Sequence, residues 1–310
     1  MALDPVPWFT GGGAEHGPEV ARMLAYAATS GSEGVVSSAD LRVTALPTPG
    51  AAVRVYPGGA VMLNRYPGAP NQSYTARSAS ATDVAIPATT SSGGATRYVI
   101  LRVDDPQYGG QAPANPVSGP YVRYAVVNSI ANLTYPFIPL AKITQPASTA
   151  TITQAMIADA RDLCNPRRES HVLMGTPTVG ARMESSGGLE YPSFRPNIAI
   201  PEWAGKVSII ATIASIASVG GNTYGVMAAS LGPRGSNQFR SADTNYDVDL
   251  AGVEARHTFV IGGKGTIPAA LRGTTQALGT EFRRIDGPGY LITRRGTSVI
   301  YQVTFEEAAI

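Results

Sequence analysis

Short stretches in which apolar residues alternate with other residues recur along this chain, separated by turns rich in glycine and proline. The clearest is VIYQVTF at residues 299–305, where every second side chain would point to the same side. Further candidate strands include residues 53–55, 99–103, 122–126, 207–213, 224–231 and 257–261. A period of two is typical of strands that bury one face in a core. The chain is therefore predicted to be mainly β.

The composition supports this prediction and indicates the number of domains. The 310 residues include 34 Gly and 24 Pro, and only 15% are charged, which favours many short strands over long charged helices. Single domains usually hold ~100 to 200 residues, so the chain is long enough for two cores. We predict two β-sandwich or jelly-roll-like domains, an N-terminal extended arm and one or two short helices.

Loop signals divide the chain into four segments. Residues 1–40 are predicted to form the arm with a short helix, and residues 41–168 an N-terminal β domain. The glycine and proline residues after position 168 predict a linker over 169–184. Residues 185–310 are predicted to form a C-terminal β-sandwich of jelly-roll type.

Two segments carry helix signals. Residues 18–28 begin with proline, and Glu19 lies in the first turn, where the helix dipole favours a negative charge. One face of this helix would carry Val20, Met23, Leu24 and Ala27. So narrow an apolar stripe must lie against a sheet or another subunit. Residues 151–161, with Thr153 as the N-cap, are predicted to form the second helix.

The arm holds two large aromatic residues that it cannot bury by itself. Trp8 and Phe9 lie between prolines and the Gly-Gly-Gly segment at 11–13. Exposed rings are costly in water, so we expect the arm to pack against a neighbouring subunit and to serve assembly. The alternative is that it folds back onto its own chain.

Four segments of the first half, taken in order, resemble a known family. They are GPEVARML at 17–24, AVRVYPGGA at 52–60, YVILRVD at 98–104 and LAKI at 140–143. Each segment alone is common, but their order over residues 15–168 resembles that of minor tail proteins of bacteriophages that infect actinobacteria. The resemblance implies a virion component at the tail tip or baseplate, assembled in the host cytoplasm as a homotrimer and bound to other tail-tip proteins.

Several classes of function and site are not expected. The formal net charge is +2 and the basic residues are scattered, which argues against nucleic-acid binding. The longest apolar stretch, 207–219, is shorter than the ~20 residues of a membrane span, and the N-terminus lacks the pattern of a secretory signal. The single cysteine, Cys164, excludes an intrachain disulfide and is interpreted as a small buried residue.

One segment carries a weak metal-binding pattern. Alternate oxygen-bearing residues followed by a distant glutamate suit a Ca²⁺ loop. The candidate ligands are Asp243, Asn245, Asp247, Asp249 and Glu254. Val248 stands where the sharp turn of such a loop needs glycine, so we expect a polar loop that leads into a strand, and no cofactor.

No catalytic pattern stands out in the sequence. His16, His171 and His257 lack a neighbouring nucleophile and carboxylate, and Asp104-Asp105 reads as a turn with two solvated carboxylates. We therefore predict that the protein is not an enzyme.

The C-terminal domain holds a candidate platform for a sugar ring. Exposed aromatic rings beside amides and carboxylates are typical of glycan recognition. Trp203, Tyr224 and Tyr246 are the candidate ligand-binding residues, although each ring can equally fill a core or an interface.

These patterns predict a structural protein of a phage tail. Its N-terminal half would attach to the tail tip, and its C-terminal β domain would bind a host cell-surface glycan. A symmetric oligomer gains avidity for a repeated ligand without a strong single site. The alternatives are a tail-associated glycan depolymerase and a structural spacer without a ligand.

Overall fold

Most of the alternating segments lie in β-strands, so the prediction of a mainly β fold is confirmed. The computed structural model describes residues 17–68, 70–186, 192–235, 237–250 and 252–309. The chain divides between Pro166 and Arg167 into two units, each with its own apolar core. Trp8 and Phe9 lie outside the described residues, so the interpretation of the arm stays a prediction.

The described residues of the N-terminal unit form one α-helix and ten short strands. They are α1 (Pro18–Ala28), β1 (Gly34–Val35), β2 (Val43–Ala45), β3 (Ala52–Val55), β4 (Gly58–Leu63), β5 (Ser73–Ser78), β6 (Thr82–Ala85), β7 (Ala95–Val103), β8 (Val122–Val127), β9 (Phe137–Gln145) and β10 (Ile157–Asp159). They form three antiparallel sheets, in the orders β1-β4-β5, β2-β3-β6 and β10-β9-β7-β8.

The core of this unit follows from the alternation in the sequence. Val53 and Val55 of β3 are fully buried, as are Val99 of β7 and Leu140 of β9, and all belong to one apolar cluster. Because the strands are short, none contributes more than four buried side chains to the core, and the three sheets share it.

The predicted helix over residues 151–161 is wrong. A single 3-10 turn, Gln154–Met156, leads into β10, which pairs with β9. Thr153 makes no side-chain capping bond, and Ile152 is fully buried in the core. A short helix is marginal by itself, so pairing with an existing sheet outweighs the local helix signal.

The C-terminal unit is a sandwich of two antiparallel sheets. Its strands are β11 (Arg168–Gly175), β12 (Arg182–Met183), β13 (Asn197–Ala199), β14 (Ala204–Val219), β15 (Thr223–Leu231), β16 (Phe239–Arg240), β17 (Thr244–Val248), β18 (Glu254–Thr266), β19 (Thr275–Asp286), β20 (Tyr290–Ile292) and β21 (Ser298–Glu307). One sheet runs β11-β21-β14-β20-β12 with β18 also on β14, and the other runs β13-β19-β15-β16 with β17 also on β15. Both sheets contribute to one apolar cluster, which makes the unit a sandwich.

The register of β14 and β21 fixes the centre of this sandwich. Ala211 lies opposite the large side chain of Tyr301, and the two branched side chains of Ile209 and Val303 lie opposite each other. The predicted face of β21 is confirmed, because residues 299, 301, 303 and 305 are all buried.

Strand β14 is longer than the predicted segment 207–213. It continues past a bulge between Ile213 and Ile216, where Ser215 has φ 58°. A residue in this left-handed region breaks the alternation without ending the strand, so the alternating pattern in the sequence predicts the strand only as far as Ile213.

The predicted linker over 169–184 is wrong for its first half. Strand β11 pairs with β21 over its whole length, from Arg168 opposite Glu306 to Gly175 opposite Val299. The glycines and prolines that suggested a linker follow this strand or end it.

Two adjacent isoleucines test the assignment of the two sheet faces. Ile209→Ala removes a fully buried side chain, whereas Ile210, on the outer face, is 42% exposed. We expect Ile209→Ala to lower the free energy of unfolding by about 2–5 kcal/mol. Ile210→Ala should cost clearly less, as measured by urea denaturation. Equal losses for the two variants would contradict the assigned faces.

Candidate interaction surfaces

Helix α1 begins as the sequence predicts. Pro18 occupies the first turn after Gly17, and the helix ends before Ser30 and Gly31, which both have positive φ. An amphipathic helix ordinarily buries its apolar face, but the one buried residue of α1 is the charged residue Arg22.

The guanidinium of Arg22 lies inside a polar network. Its Nε donates to Gln72 Oε1 at 2.6 Å, and its Nη1 donates to Asp105 Oδ2 at 3.3 Å. Its Nη2 donates to Gln107 Oε1 at 2.7 Å and to the Tyr108 hydroxyl at 3.1 Å. A planar group with five donors suits such a site, since it satisfies several acceptors at once. The network fastens α1 to the residues before β5 and after β7.

Two aromatic rings complete the surroundings of this cation. The rings of Tyr74 and Tyr108 each lie 5.3 Å from the guanidinium carbon of Arg22, within cation–π range. The Tyr74 hydroxyl donates to Asp105 Oδ2 at 2.8 Å. Burial, and next this hydrogen bond to the Asp105 carboxylate, raise the pKa of Tyr74 well above its ordinary value. Tyr74 therefore remains a hydrogen-bond donor at neutral pH.

Both charged residues of α1 are engaged on this inner side. Glu19 accepts a hydrogen bond from Gln107, which holds the pKa of the Glu19 carboxyl below its usual value. The Glu19 carboxylate also lies 3.7 Å from the guanidinium of Arg22.

The outer side of α1 is uncharged and apolar. We name the residues Val20, Met23, Leu24 and Ala27 the outer stripe. At 3.6 residues per turn they lie roughly 100–160° from Arg22 around the helix axis. Met23 is 52% exposed and Leu24 is 50% exposed. The sequence predicts that this stripe lies against a sheet or against another subunit. Within the described chain, the stripe does not lie against a sheet.

A groove of about 610 Å³ borders α1 on its inner side. Its wall includes Arg22, Tyr74, Asp105, Gln107 and Tyr121. A carboxylate, an amide and two rings are the groups that bind sugars, but here four of these five side chains bond to one another. We interpret the groove as the seam along which α1 is held.

A second buried charge cluster lies beside the first. Asp104 is buried and forms ion pairs with Arg102 and Arg123, the latter at 2.8 Å. Arg102 also stacks on Tyr135, with 3.6 Å between the guanidinium carbon and the ring centre. The expectation of two solvated carboxylates at Asp104-Asp105 is therefore wrong. These side chains hold the loop after β7 in place.

The outer face of the C-terminal unit carries a second apolar surface. Across β11, β21, β14 and β18, Met174 lies opposite Ile300, which lies opposite Thr212, which lies opposite Val260. Val172 and Met174 of the edge strand β11 are 72% and 71% exposed. We name the five apolar residues of this surface the outer sheet patch: Val172, Met174, Ile210, Val260 and Ile300. The sequence patterns do not predict this surface, because its first two residues lie in the segment predicted as a linker, although they alternate as a strand does.

The candidate Ca²⁺ ligands do not converge. Asn245 and Asp247 are exposed residues of β17, on the face opposite to buried Tyr246, so a strand explains their alternation. Asp243 pairs with Arg240 at 2.5 Å, and Glu254 pairs with Arg294 at 3.1 Å. Asp249 is exposed just after β17. The described residues hold no group of three or more acidic, histidine or cysteine side chains placed for a metal.

The three candidate ligand-binding rings do not form one platform. Tyr246 is buried in the core of the sandwich, between the rings of Phe259 and Phe282. Trp203 precedes β14 and Tyr224 follows its other end, so the length of this strand separates them by on the order of 50 Å. Trp203 also packs against the core and lies 5.0 Å from the guanidinium carbon of Arg167. One glycan site built from all three rings is therefore excluded.

Two histidines have polar partners without forming an open reactive site. The Ser218 hydroxyl lies 2.8 Å from His257 Nε2, but Ser218 is fully buried between strands, which closes its hydroxyl to a substrate. His171 lies 2.8 Å from Glu169 on the exposed edge strand β11.

Within the described chain, no helix has the length and apolar character that crossing a membrane requires.

A charge-removing variant tests the role of Arg22. Arg22→Met keeps the length of the side chain but leaves the Asp105 carboxylate partly buried without its cation. We expect a loss of about 3 kcal/mol in the free energy of unfolding and faster hydrogen exchange of the α1 amides. The control is Arg54→Met, which breaks the exposed Arg54–Asp83 pair and should leave both measurements unchanged. Unchanged α1 exchange in Arg22→Met would contradict the network.

The environment of Cys164 predicts its reactivity. Burial raises the pKa of the Cys164 thiol, and the side chain is closed to solvent. Because the thiolate is the reactive form, we expect no reaction with a thiol-specific disulfide reagent at pH 8 in the native protein, and one equivalent of reaction in urea. Rapid labelling of the native protein would contradict this environment.

Comparisons with known proteins leave the family open. No family model matches the chain, and no curated protein matches it. The subviral particle protein VP2 of infectious bursal disease virus aligns at 12% identity over 90% of this chain and 74% of that chain, with a TM-score of 0.23. The T13 particle of the same virus aligns at 12% identity over 89% of this chain and 72% of that chain, with a TM-score of 0.26. Dimeric latent PorU from Porphyromonas gingivalis aligns at 8% identity over 93% of this chain and 26% of that chain, with a TM-score of 0.25. These superpositions are too weak to inform the function of this chain.

Proposed function

We propose that this protein is a structural subunit of a virus particle, placed at the tail tip of a phage that infects actinobacteria. The observation that carries the proposal is the outer stripe of α1. A helix that buries its charges and turns its apolar side chains to water is built to be covered by a neighbouring chain. This helix lies in the part of the sequence that resembles minor tail proteins.

The two units suggest a division of roles. The N-terminal unit, with α1 and the family resemblance, attaches the protein to itself and to other tail-tip proteins. The C-terminal unit has a separate core and carries the outer sheet patch, so it is free to specialise for a host surface glycan. Binding, and not catalysis, is the role that we assign to it.

Avidity would let this unit act without a deep pocket. Repeated copies of a weak site on one symmetric assembly bind a repeated cell-surface ligand far more tightly than one copy does. Trp203 and Tyr224 remain candidate contacts, but as members of two separate sites. Tyr246 is buried and is not a candidate contact.

Labelled particles test the location and the orientation together. We expect gold-labelled antibody fragments against the protein to mark the tail tip of purified particles in electron micrographs. Fragments against the C-terminal unit should block adsorption to host cells, whereas fragments against the N-terminal unit should not. Absence of the protein from particles would contradict the proposed function. Label at the tip without any block of adsorption would contradict the role in host binding, and release of reducing sugars from host cell wall by the protein would favour a depolymerase.

A further inference from the structure

We propose that the outer stripe of α1 packs against the outer stripe of a second copy of this chain. This inference rests on the proposed function and deepens it, because it names the residues of the self-contact. The tail-tip location and the self-contact are tested separately below.

The stripe needs a cover because α1 has the reverse of the usual polarity. The side of the helix that carries Ala21, Arg22 and Ala25 faces the strand β5. The two charged residues bond on this side of the helix, to Gln72 and Gln107, which lie outside β5. The outer side presents two large apolar side chains, each about half exposed, without a charged neighbour on the same face. A helix that ended its contacts at the protein surface would normally carry charged residues on this side.

A second copy of the same chain is the occupant that the charge pattern favours. A contact between two parallel copies of α1 in register brings each side chain of the stripe near its own equivalent, so any charge on the stripe would meet a like charge. The outer stripe carries no charge, which removes this penalty. Its spacing also suits pairing, since Val20, Met23 and Ala27 occupy successive positions of an a/d heptad seam with Leu24 beside it.

The helix has only 11 residues, which is short for a helix pair to be stable alone. The self-contact therefore depends on the Arg22 network, which holds α1 in place on its own unit.

Site-specific crosslinking tests which surface meets itself. The only native thiol, Cys164, is buried, so Leu24→Cys places one accessible thiol on the stripe. We expect mild oxidation to convert more than half of the chains to a disulfide-linked dimer that a reductant reverses, because equivalent residues across such a contact lie within disulfide reach. Val36→Cys is the matched control, since Val36 is similarly exposed in the same unit but outside α1. It should remain monomeric in the denaturing gel. Equal crosslinking of the two variants, or none at Leu24→Cys, would overturn the proposal.

A charge-insertion variant tests the same contact by mass. Light scattering should give an oligomer for the unmodified protein and a single-chain mass for the double variant Met23→Asp/Leu24→Asp, with an unchanged circular dichroism spectrum. Val36→Asp should keep the oligomer. A monomeric unmodified protein, or an oligomeric double variant, would overturn the self-contact. If the protein is a monomer but is present at the tail tip, the proposed function holds and the self-contact fails. If it forms an α1-dependent oligomer but is absent from particles, the self-contact holds and the proposed function fails.

Discussion

The buried guanidinium of Arg22 determines which side of α1 faces the solvent. Removing it from water is favourable only because Gln72, Asp105, Gln107 and two tyrosine rings surround it. No apolar side chain at this position would satisfy those acceptors. Once Arg22 is inside, helix geometry requires the residues on the opposite face to point outward. The exposure of the outer stripe is thus a consequence of the polar network.

The polar network fixes the orientation of α1 on its unit, at some cost in the stability of the folded chain. Packing the apolar stripe against β5 would bury more apolar surface, but it would expose Arg22 and leave the Asp105 carboxylate without its cation. A buried, fully satisfied polar network favours one docking mode over its alternatives. The network leaves the outer stripe exposed, and the stripe is buried when chains associate. This links the stability of α1 to assembly.

The C-terminal unit is organised by another constraint, the long central strand β14. This strand pairs with β18 along both of its halves, while β21 and β20 share its other edge. The same register that places Ile209 in the core places Ile210 on the outer face. Charged residues border the outer sheet patch where Glu306 pairs with Arg168 and Lys264. One sheet therefore supplies both a core and an exposed apolar surface.

Local patterns in the sequence predict the fold better than the site. The period of two located β21 and part of β14, and the helix signals placed α1 at its observed bounds, because these features depend on near neighbours in the chain. The polarity of α1 depends on Gln72 and Asp105, which are distant in sequence, so its apolar stripe suggested a buried face. Tyr246 shows the same limit, because its neighbours in sequence are polar while its neighbours in space, Phe259 and Phe282, lie on other strands.

The orientation of α1 is most directly tested by oxidative footprinting of methionines with mass spectrometry. Met174, on the outer sheet patch, and Met62, fully buried in the N-terminal core, calibrate fast and slow oxidation within the same chain. In a monomeric Leu24→Asp variant, Met23 should oxidise at a rate close to that of Met174, and in the unmodified oligomer it should be protected. A rate for Met23 in the monomer as slow as that of Met62 would contradict the outward stripe. Equally fast oxidation of Met23 in both forms would contradict its burial by assembly.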